Sequence, residues 1–215
     1  MLEGKGMTIP SADPGSSATP NATNRPALTL PGPEALMLRH AYDRAQTILE
    51  YGSGGSTVMA AEMPGKGIFS VESDKKWMAG LQSWFDVNPP PSRPVLHYAN
   101  IGPTGDWGFP EGEGHWHKYP RYPLSVWDRP DFFHPDVVLI DGRFRAACFL
   151  TVLFRIKRPV AVYFDDYLDR AVYHGIERYA APVEIIGRMA RFELEPRQIP
   201  AVDLANILEL FARPQ

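Results

Sequence analysis

The chain has 215 residues, of which 44% are hydrophobic, enough for one domain with a sizeable buried core but not for a second full domain. Its formal net charge of −3 lacks the basic excess of proteins that bind nucleic acid or an anionic membrane surface, so small-molecule partners are favoured. The sequence has no apolar run of about 18 residues, no signal-peptide core at its start and a single cysteine, Cys148. We therefore expect a soluble, cytoplasmic protein.

Residues 1–33 are rich in Pro, Gly, Ser, Thr and Asn and contain no aromatic residue. Such a segment buries too little apolar surface to offset the entropy lost on ordering it. We therefore predict a flexible N-terminal tail over residues 1–33 and a single domain over residues 34–215.

Strand and helix patterns alternate from Pro33 onward, which is typical of a sheet flanked by helices. In the first half of the domain, the predicted strands are residues 47–52, 67–73 and 95–101. Apolar residues recur at helical spacing before the first strand, after Ser53 and from Trp77 onward.

Residues 102–130 interrupt this alternation with five Pro, five Gly and six aromatic residues. The segment is too long for an ordinary connection and predicts a functional loop or lid. His115 and His117 are candidate bases within it. They are also spaced like the start of a zinc site, but no Cys or third His follows at a recognised distance. The alternative is a loop folded onto its own aromatic cluster.

The alternation then resumes, with predicted strands at residues 136–142 and 160–166, each followed by helical spacing. Two more strands, 183–189 and 190–195, leave no room for a helix between them and are expected to be antiparallel. A last amphipathic segment covers residues 204–211. The whole pattern predicts an α/β fold: a doubly wound, mostly parallel seven-stranded sheet with an antiparallel terminal strand pair.

The stretch LEYGSGGST, residues 49–57, places a glycine-rich turn at the end of the first strand. In a doubly wound sheet, ligands bind outside the carboxyl ends of the strands, where the strand order reverses. Gly52, Gly54 and Gly55 have no side chain to keep a ligand from the backbone, and the helix after Ser53 directs free N–H groups to the same place. A simple tight turn is the alternative.

Glu72 ends the second strand, twenty residues after Gly52, where a carboxylate can accept hydrogen bonds from both ribose hydroxyls. An adenosine-containing cofactor therefore fits; the alternative is an acid that only stabilises a helix start. A nicotinamide dinucleotide is disfavoured, because Thr57 stands where the third glycine of its motif is expected. The residues after Gly55 also lack the pattern of a nucleotide-hydrolysing phosphate loop.

LEYGSGGST resembles motif I of the class I, Rossmann-like S-adenosylmethionine-dependent methyltransferases, an acidic residue followed by x-Gly-x-Gly-x-Gly. Glu50, Gly52 and Gly54 match this motif, and Ser56 replaces its last glycine. The resemblance implies that Glu50 helps to hold the methionine amino group, through water or the loop backbone. The candidate cofactor-binding residues of this turn are Glu50, Gly52, Ser53, Gly54 and Gly55.

Two further segments share the resemblance, which covers roughly residues 34–195. FSVESD, with Glu72, is similar to motif II, the family's ribose-binding acid. YANIG, with Asn100 and Ile101, lies where the family holds the adenine, and residues 183–195 are similar to its final antiparallel strand pair.

Three carboxylates lie at the exits of neighbouring predicted strands: Asp141 at the exit of the fourth, and Asp165 with Asp166 at the exit of the fifth. Since neighbouring strands lie about 4.8 Å apart, these groups can converge on one divalent cation such as magnesium. The alternative is that the three aspartates cap helices or form salt bridges. Arg143 and Arg145 are positioned either to neutralise these acids or to receive an anionic substrate.

This arrangement resembles the metal-dependent O-methyltransferases of the macrocin type, in which three such aspartates bind magnesium. It departs from them in having Arg143 beside Asp141 and no evident histidine after the second pair. The sequence is also similar to a bacterial group of methyltransferase-like proteins of unassigned substrate.

We therefore predict an S-adenosylmethionine-dependent methyltransferase acting on an oxygen of a small molecule or saccharide. The candidate catalytic residues are Asp141, Arg143, His115 and His117. The alternatives are a nicotinamide-dependent oxidoreductase and a non-catalytic methyltransferase-like binding module. The sequence leaves the oligomeric state open, with a homo-oligomer among the options.

Overall fold

In the computed structural model, which describes residues 19–215, seven strands form one sheet in the order β3-β2-β1-β4-β5-β7-β6. The strands are β1 (Thr47–Tyr51), β2 (Gly67–Glu72), β3 (Val95–Tyr98), β4 (Val137–Ile140), β5 (Val160–Phe164), β6 (Glu184–Ile186) and β7 (Met189–Leu194). Strands β1 to β5 are parallel, whereas β7 pairs antiparallel with both β5 and β6. The predicted doubly wound sheet with its antiparallel terminal pair is therefore confirmed.

Helices cover both faces of the sheet. The α-helices of the described region are α1 (Gly32–Arg44), α2 (Gly55–Ala61), α3 (Lys75–Val87), α4 (Arg121–Leu124), α5 (Arg145–Arg155) and α6 (Leu204–Phe211). The helix expected near residues 172–179 is a 3-10 helix, Ala171–Arg178, with the poor helix former Gly175 at its centre. Within residues 19–215, no helix has the length and apolar character needed to span a membrane.

Two hydrophobic clusters form the core, one on each face of the sheet. Ile48 and Leu49 are adjacent in β1, and both are fully buried, but they belong to different clusters because successive strand side chains point to opposite faces. Leu38 of α1 and Leu81 of α3 lie in the cluster of Ile48. Leu49 shares its cluster with residues of α5 and α6. This two-sided burial explains why the strands read as apolar runs in the sequence.

The N-terminal segment lies against the domain over residues 19–31. The backbone of Ala27 occupies the space that a Cβ on Gly55 would need, and the carbonyl of Pro20 occupies that of Gly80. Arg25 also pairs with Glu62 at 2.9 Å. These contacts differ from the expectation of a flexible tail, because bare helix backbone lets an extended segment approach closely. The rest of that prediction, residues 1–18, lies outside the described residues.

The antiparallel pair turns at Gly187 and Arg188, so Met189 belongs to the last strand and not to the one before it as expected. Gly187 has a φ of +55°, a conformation suited to glycine in a tight turn. The Arg188 N–H donates to Glu34 of α1 over 3.0 Å. The turn thereby brings the Arg188 side chain to the carboxyl end of β5.

Strand β1 lies between β2 and β4, so the chain leaves it toward one side of the sheet and returns on the other. This reversal of strand order opens a crevice at the carboxyl ends of the strands.

Candidate active site

The turn that leaves β1 lies directly against the backbone that leaves β4. Gly52 has a φ of +103°, a conformation that favours glycine, and its N–H donates to the carbonyl of Val71 over 2.9 Å. A Cβ on Gly52 would lie 2.8 Å from the backbone nitrogen of Gly142. The first glycine of the turn is thus required for the two strand ends to approach each other.

Gly54 and Gly55 have different surroundings. A Cβ on Gly54 would meet only the ring of Trp77, at 3.9 Å, whereas a Cβ on Gly55 would overlap the backbone of Ala27. Gly54 is therefore the glycine of this turn that presents bare backbone to open space. Trp77, which the sequence pattern placed only on a helix, fixes the turn by donating from its indole nitrogen to the Ser53 carbonyl over 2.7 Å.

Glu50 lies fully buried beneath the turn. Its carboxylate accepts hydrogen bonds from the hydroxyls of Tyr42 at 2.8 Å and Thr57 at 2.5 Å, and the Thr57 hydroxyl in turn accepts from the Gly54 N–H at 3.0 Å. Burial raises the pKa of Glu50, while the hydroxyl donors oppose this shift. The structure thus connects Glu50 to the turn through Thr57.

Glu72 is directed toward the same turn from β2. Its Oε1 accepts hydrogen bonds from the N–H groups of Ser73 and Asp74, at 2.6 and 2.8 Å. Among residues 19–215, its Oε2 accepts a single long bond, from the Ser53 N–H at 3.4 Å. Burial is the main cause that raises the pKa of Glu72, and these backbone donors oppose it. One carboxylate oxygen therefore retains acceptor capacity beside the glycine turn.

The residues expected at the adenine, Asn100 and Ile101, follow β3, which is the strand next to β2 in the sheet. Asn100 is exposed and accepts a hydrogen bond from Gly102, whereas Ile101 is buried in the core. The His115 side chain packs on Gly102, which has a φ of +106°. A Cβ added to Gly102 would lie 2.6 Å from the His115 ring. The exposed His117 has its ring centre 6.2 Å from that of His115. The two histidines thus lie at the β3 end of the site.

A short hairpin over residues 104–110 crosses the site. Thr104 pairs with Pro110, and the Gly108 carbonyl accepts a hydrogen bond from Ser73 at 3.1 Å. The next residue, Phe109, stacks on the guanidinium of Arg143 at 4.1 Å. Because Ser73 follows β2 and Arg143 follows β4, the hairpin passes over the end of β1, which lies between them.

The rest of the segment predicted as a lid divides into two parts. Trp107 and Trp116 are largely exposed, whereas Tyr119 and Tyr122 are buried against Phe144 with ring centres 5.1 and 5.7 Å away. The first part therefore has exposed aromatic surface near the site, and the second is part of the hydrophobic core.

The three aspartates after β4 and β5 converge. Asp141, Asp165 and Asp166 each offer a carboxylate oxygen within 4.8 Å of the others, and we call them the aspartate cluster. None of them caps α5, which begins after Phe144 without a side-chain cap. The two remaining interpretations are a metal site and salt bridges. The side chains around the aspartate cluster form salt bridges with it.

Arg145 lies between two members of the aspartate cluster. Its Nη2 is 3.1 Å from Oδ1 of Asp141 and 3.2 Å from Oδ2 of Asp166, and its side chain is only 3% exposed. Its other nitrogens donate to the backbone carbonyls of Gly142 and Asp165. Arg145 is therefore fully engaged in neutralising and bracing the cluster.

Two arginines that the sequence analysis missed complete this neutralisation. Arg188 makes two hydrogen bonds to Asp165, at 3.0 and 2.7 Å, and pairs with Asp166 at 3.2 Å. Arg170 pairs with Asp166 at 2.7 Å. Arg170 and Asp166 are four residues apart, a spacing at which ion pairs are common, but no local pattern connects Arg188 with β5.

Three guanidinium groups thus pair with both oxygens of Asp165, both oxygens of Asp166 and one oxygen of Asp141. A magnesium ion prefers six oxygen ligands in octahedral geometry, and three guanidinium charges paired with the same carboxylates repel it. The residues present therefore do not fit a resident magnesium ion, although the carboxylates do converge as expected.

Asp141 differs from its two neighbours in exposure. Its side chain is 27% exposed, whereas that of Asp165 is almost completely buried. Burial and the charges of the other two aspartates raise the pKa of Asp141 to about 7, against the lowering effect of Arg145. Asp141 can therefore exchange a proton near neutral pH.

Arg143 does not neutralise the cluster. The residue is 8% exposed, and its Nε and Nη1 are buried without a hydrogen-bond partner among residues 19–215. Burial is the first cause that lowers its pKa, followed by the charge of Arg145. The sequence left two roles open for Arg143, neutralising the aspartates or receiving an anionic substrate. The structure does not show the first of these roles.

The chain is similar in structure to several solved proteins. A methyltransferase-like protein from Silicibacter pomeroyi is 49% identical with a TM-score of 0.85; the match covers 88% of this chain and 99% of that one. The O-methyltransferase TomG of Streptomyces achromogenes, in complex with SAM, is 14% identical with a TM-score of 0.52, covering 79% and 82%. An O-methyltransferase from Bacillus cereus, in complex with SAH, is 13% identical with a TM-score of 0.50, covering 75% and 79%. No protein-family model and no curated protein matches the chain.

Proposed function

Because this chain belongs to the class I, Rossmann-like methyltransferase superfamily, we propose that it binds S-adenosylmethionine and methylates an oxygen of a small molecule or saccharide. One observation carries the proposal: the carboxylate of Glu72 is directed toward the open backbone of the glycine turn. The nicotinamide alternative has no such support, since the relative at 49% identity is methyltransferase-like.

The proposed donor site uses the ends of β1, β2 and β3. The open backbone at Gly54 admits the amino-acid part of the donor, and Glu50 holds this turn through Thr57. The free acceptor capacity of Glu72 suits the ribose hydroxyls. The exposed side chain of Asn100, past β3, suits an edge of the adenine.

The proposed acceptor site lies on the other side of β1. S-adenosylmethionine held in the donor site would supply an electrophilic methyl group for transfer to an acceptor oxygen, and S-adenosylhomocysteine would leave as the methyl–sulfur bond breaks. Asp141 takes the proton from that oxygen, since its raised pKa of about 7 lies near working pH. His115 and His117 are the alternative bases, from the β3 end. The exposed ring of Trp107, in the hairpin that crosses the end of β1, suits stacking on a sugar or a planar acceptor, whereas the exposed ring of Trp116 lies beside His117.

The donor site is tested by the binding of S-adenosylhomocysteine, measured by titration calorimetry. We expect Glu72→Ala to weaken binding at least tenfold, about 1.4 kcal/mol, because the ribose loses its carboxylate partner. The control is Glu62→Ala, which removes an exposed carboxylate at the end of α2 that pairs with Arg25. Equal affinities for the two variants would refute the ribose assignment. Wild-type binding without any transfer of the methyl group would instead favour the non-catalytic module.

Magnesium is not part of the proposal, because the arginines occupy the aspartate cluster. A bound ion at one hundred times its Kd would stabilise the protein by about 2.7 kcal/mol and raise the Tm by roughly 5–10 °C. We expect no such rise with MgCl₂, compared with NaCl at equal ionic strength, and no loss of methyl transfer in chelator. A rise of that size that Asp141→Asn abolishes would show that the cation displaces the arginines.

A further inference from the structure

Arg143 is a mostly buried cation, and within residues 19–215 two of its three guanidinium nitrogens are buried without a hydrogen-bond partner. Neither its Nε nor its Nη1 has a hydrogen-bond acceptor in the described part of the chain, and its observed contact is with the ring of Phe109. A guanidinium stays protonated at every pH at which proteins work. Since a buried charge without compensation is costly, such a group indicates a place for an anion that arrives with a ligand.

The neighbouring acids do not provide this compensation. The aspartate cluster carries three carboxylates, and each is paired with one or more of Arg145, Arg170 and Arg188. No salt bridge in residues 19–215 includes Arg143. Four arginines thus stand against three aspartates at this end of the crevice, and within residues 19–215 Arg143 is the one of the four without a carboxylate partner.

A second unpartnered donor lies nearby. The hydroxyl of Tyr173 is buried and, within residues 19–215, has no hydrogen-bond partner. Tyr173 belongs to the 3-10 helix that follows β5, and its ring centre is 5.9 Å from the guanidinium carbon of Arg145. Arg145 begins α5 two residues after Arg143, so the phenol ring lies beside the same stretch of chain. A guanidinium and a phenol that both lack acceptors are a suitable donor set for a carboxylate or phosphate.

We propose that Arg143 and Tyr173 bind an anionic group, a carboxylate or a phosphate, of the methyl acceptor. This inference rests on the proposed function and narrows its substrate class to acidic small molecules. The location supports the acceptor over the donor. The proposed donor contacts follow β1, β2 and β3, whereas Arg143 and Tyr173 follow β4 and β5.

The test uses sodium benzoate and inorganic phosphate as probes, titrated into the full chain with and without S-adenosylhomocysteine and followed by calorimetry. We expect one of the two anions to bind, which identifies the carboxylate or the phosphate. Arg143→Met should weaken that binding at least tenfold and Tyr173→Phe about threefold. The control is Arg93→Met, which removes an exposed arginine paired with Asp86. If neither anion binds, or if Arg143→Met and Arg93→Met behave alike, the proposal is wrong.

A second comparison separates the two sources of a carboxylate. S-adenosylhomocysteine carries an amino-acid group, and 5′-methylthioadenosine does not. If Arg143→Met weakens the first tenfold and leaves the second unchanged, Arg143 holds the donor and the acceptor assignment fails. Equal affinity of wild type and Arg143→Met for both nucleosides supports the acceptor assignment.

Failure of the two proposals is distinguishable. Anion binding that depends on Arg143, in a protein that does not bind S-adenosylhomocysteine, would refute the proposed function and retain the anion site. Both variants are expected to fold, because each removes a buried polar group that lacks a partner. If Arg143→Met does not fold, Tyr173→Phe still decides the outcome: unchanged anion affinity would contradict the proposal.

Discussion

Arg145→Met is expected to lower the free energy of unfolding by about 3–5 kcal/mol, because it removes one partner of a buried ion-pair network. The arginine side chain is 3% exposed, and it pairs with Asp141 and Asp166 while donating to two backbone carbonyls. Without it, three carboxylates within 4.8 Å of one another would share two arginines. The change is measured by urea denaturation at pH 7.

The matched control for this variant is at the other end of the same helix. Arg155 ends α5 and pairs with Asp128 at 2.8 Å, but the two side chains are 38% and 66% exposed. Arg155→Met should therefore cost no more than about 1 kcal/mol. Similar costs for both variants would mean that the buried network contributes no more than a surface ion pair.

Gly52→Ala is expected to destabilise the protein by about 3–5 kcal/mol and to abolish binding of S-adenosylhomocysteine. The added Cβ would lie 2.8 Å from the Gly142 nitrogen, and a φ of +103° is strained for alanine. The ends of β1 and β4 would have to separate, which moves the turn away from Glu72. Urea denaturation and calorimetry measure the two effects.

Gly54→Ala separates the folding role of the turn from its binding role. Its Cβ would meet only Trp77 at 3.9 Å, and its φ of 173° suits any residue, so the free energy of unfolding should change by less than about 1 kcal/mol. Binding of S-adenosylhomocysteine should still fall at least tenfold, because the methyl group stands on the open backbone. Unchanged affinity would show that no ligand approaches Gly54.

Local patterns were sufficient for the fold, because each strand and helix has its own period. Residues 47–52 and 67–73 read as buried strands, and the structure has strands at Thr47–Tyr51 and Gly67–Glu72. The short distance between the last two predicted strands excluded a crossover helix and gave the antiparallel pair. The wrong boundary at Met189 arose because Gly187 turns the chain two residues earlier than expected.

The sequence was less informative about how each glycine of the turn is used. All three read as sites for a ligand, since none has a side chain. In the structure, the backbone of Gly142 packs closely against Gly52, and the backbone of Ala27 packs closely against Gly55. Of the three glycines, only Gly54 presents its bare backbone to open space. The partners of a glycine are often distant in sequence, so composition reveals that a close approach occurs but not with which segment.

The sequence by itself thus determined the wound sheet, the turn at the end of β1 and the acid that faces it, because these depend on periodicity and on the order of elements along the chain. Only the tertiary structure decided the charges of the crevice. Arg188 is 23 residues from Asp165 and reaches it through the turn between β6 and β7. Arg143 lies two residues after Asp141, yet within residues 19–215 it has no salt-bridge partner. The reason is that a charge is neutralised by whichever group is nearest in space, and the folding of distant segments sets that distance.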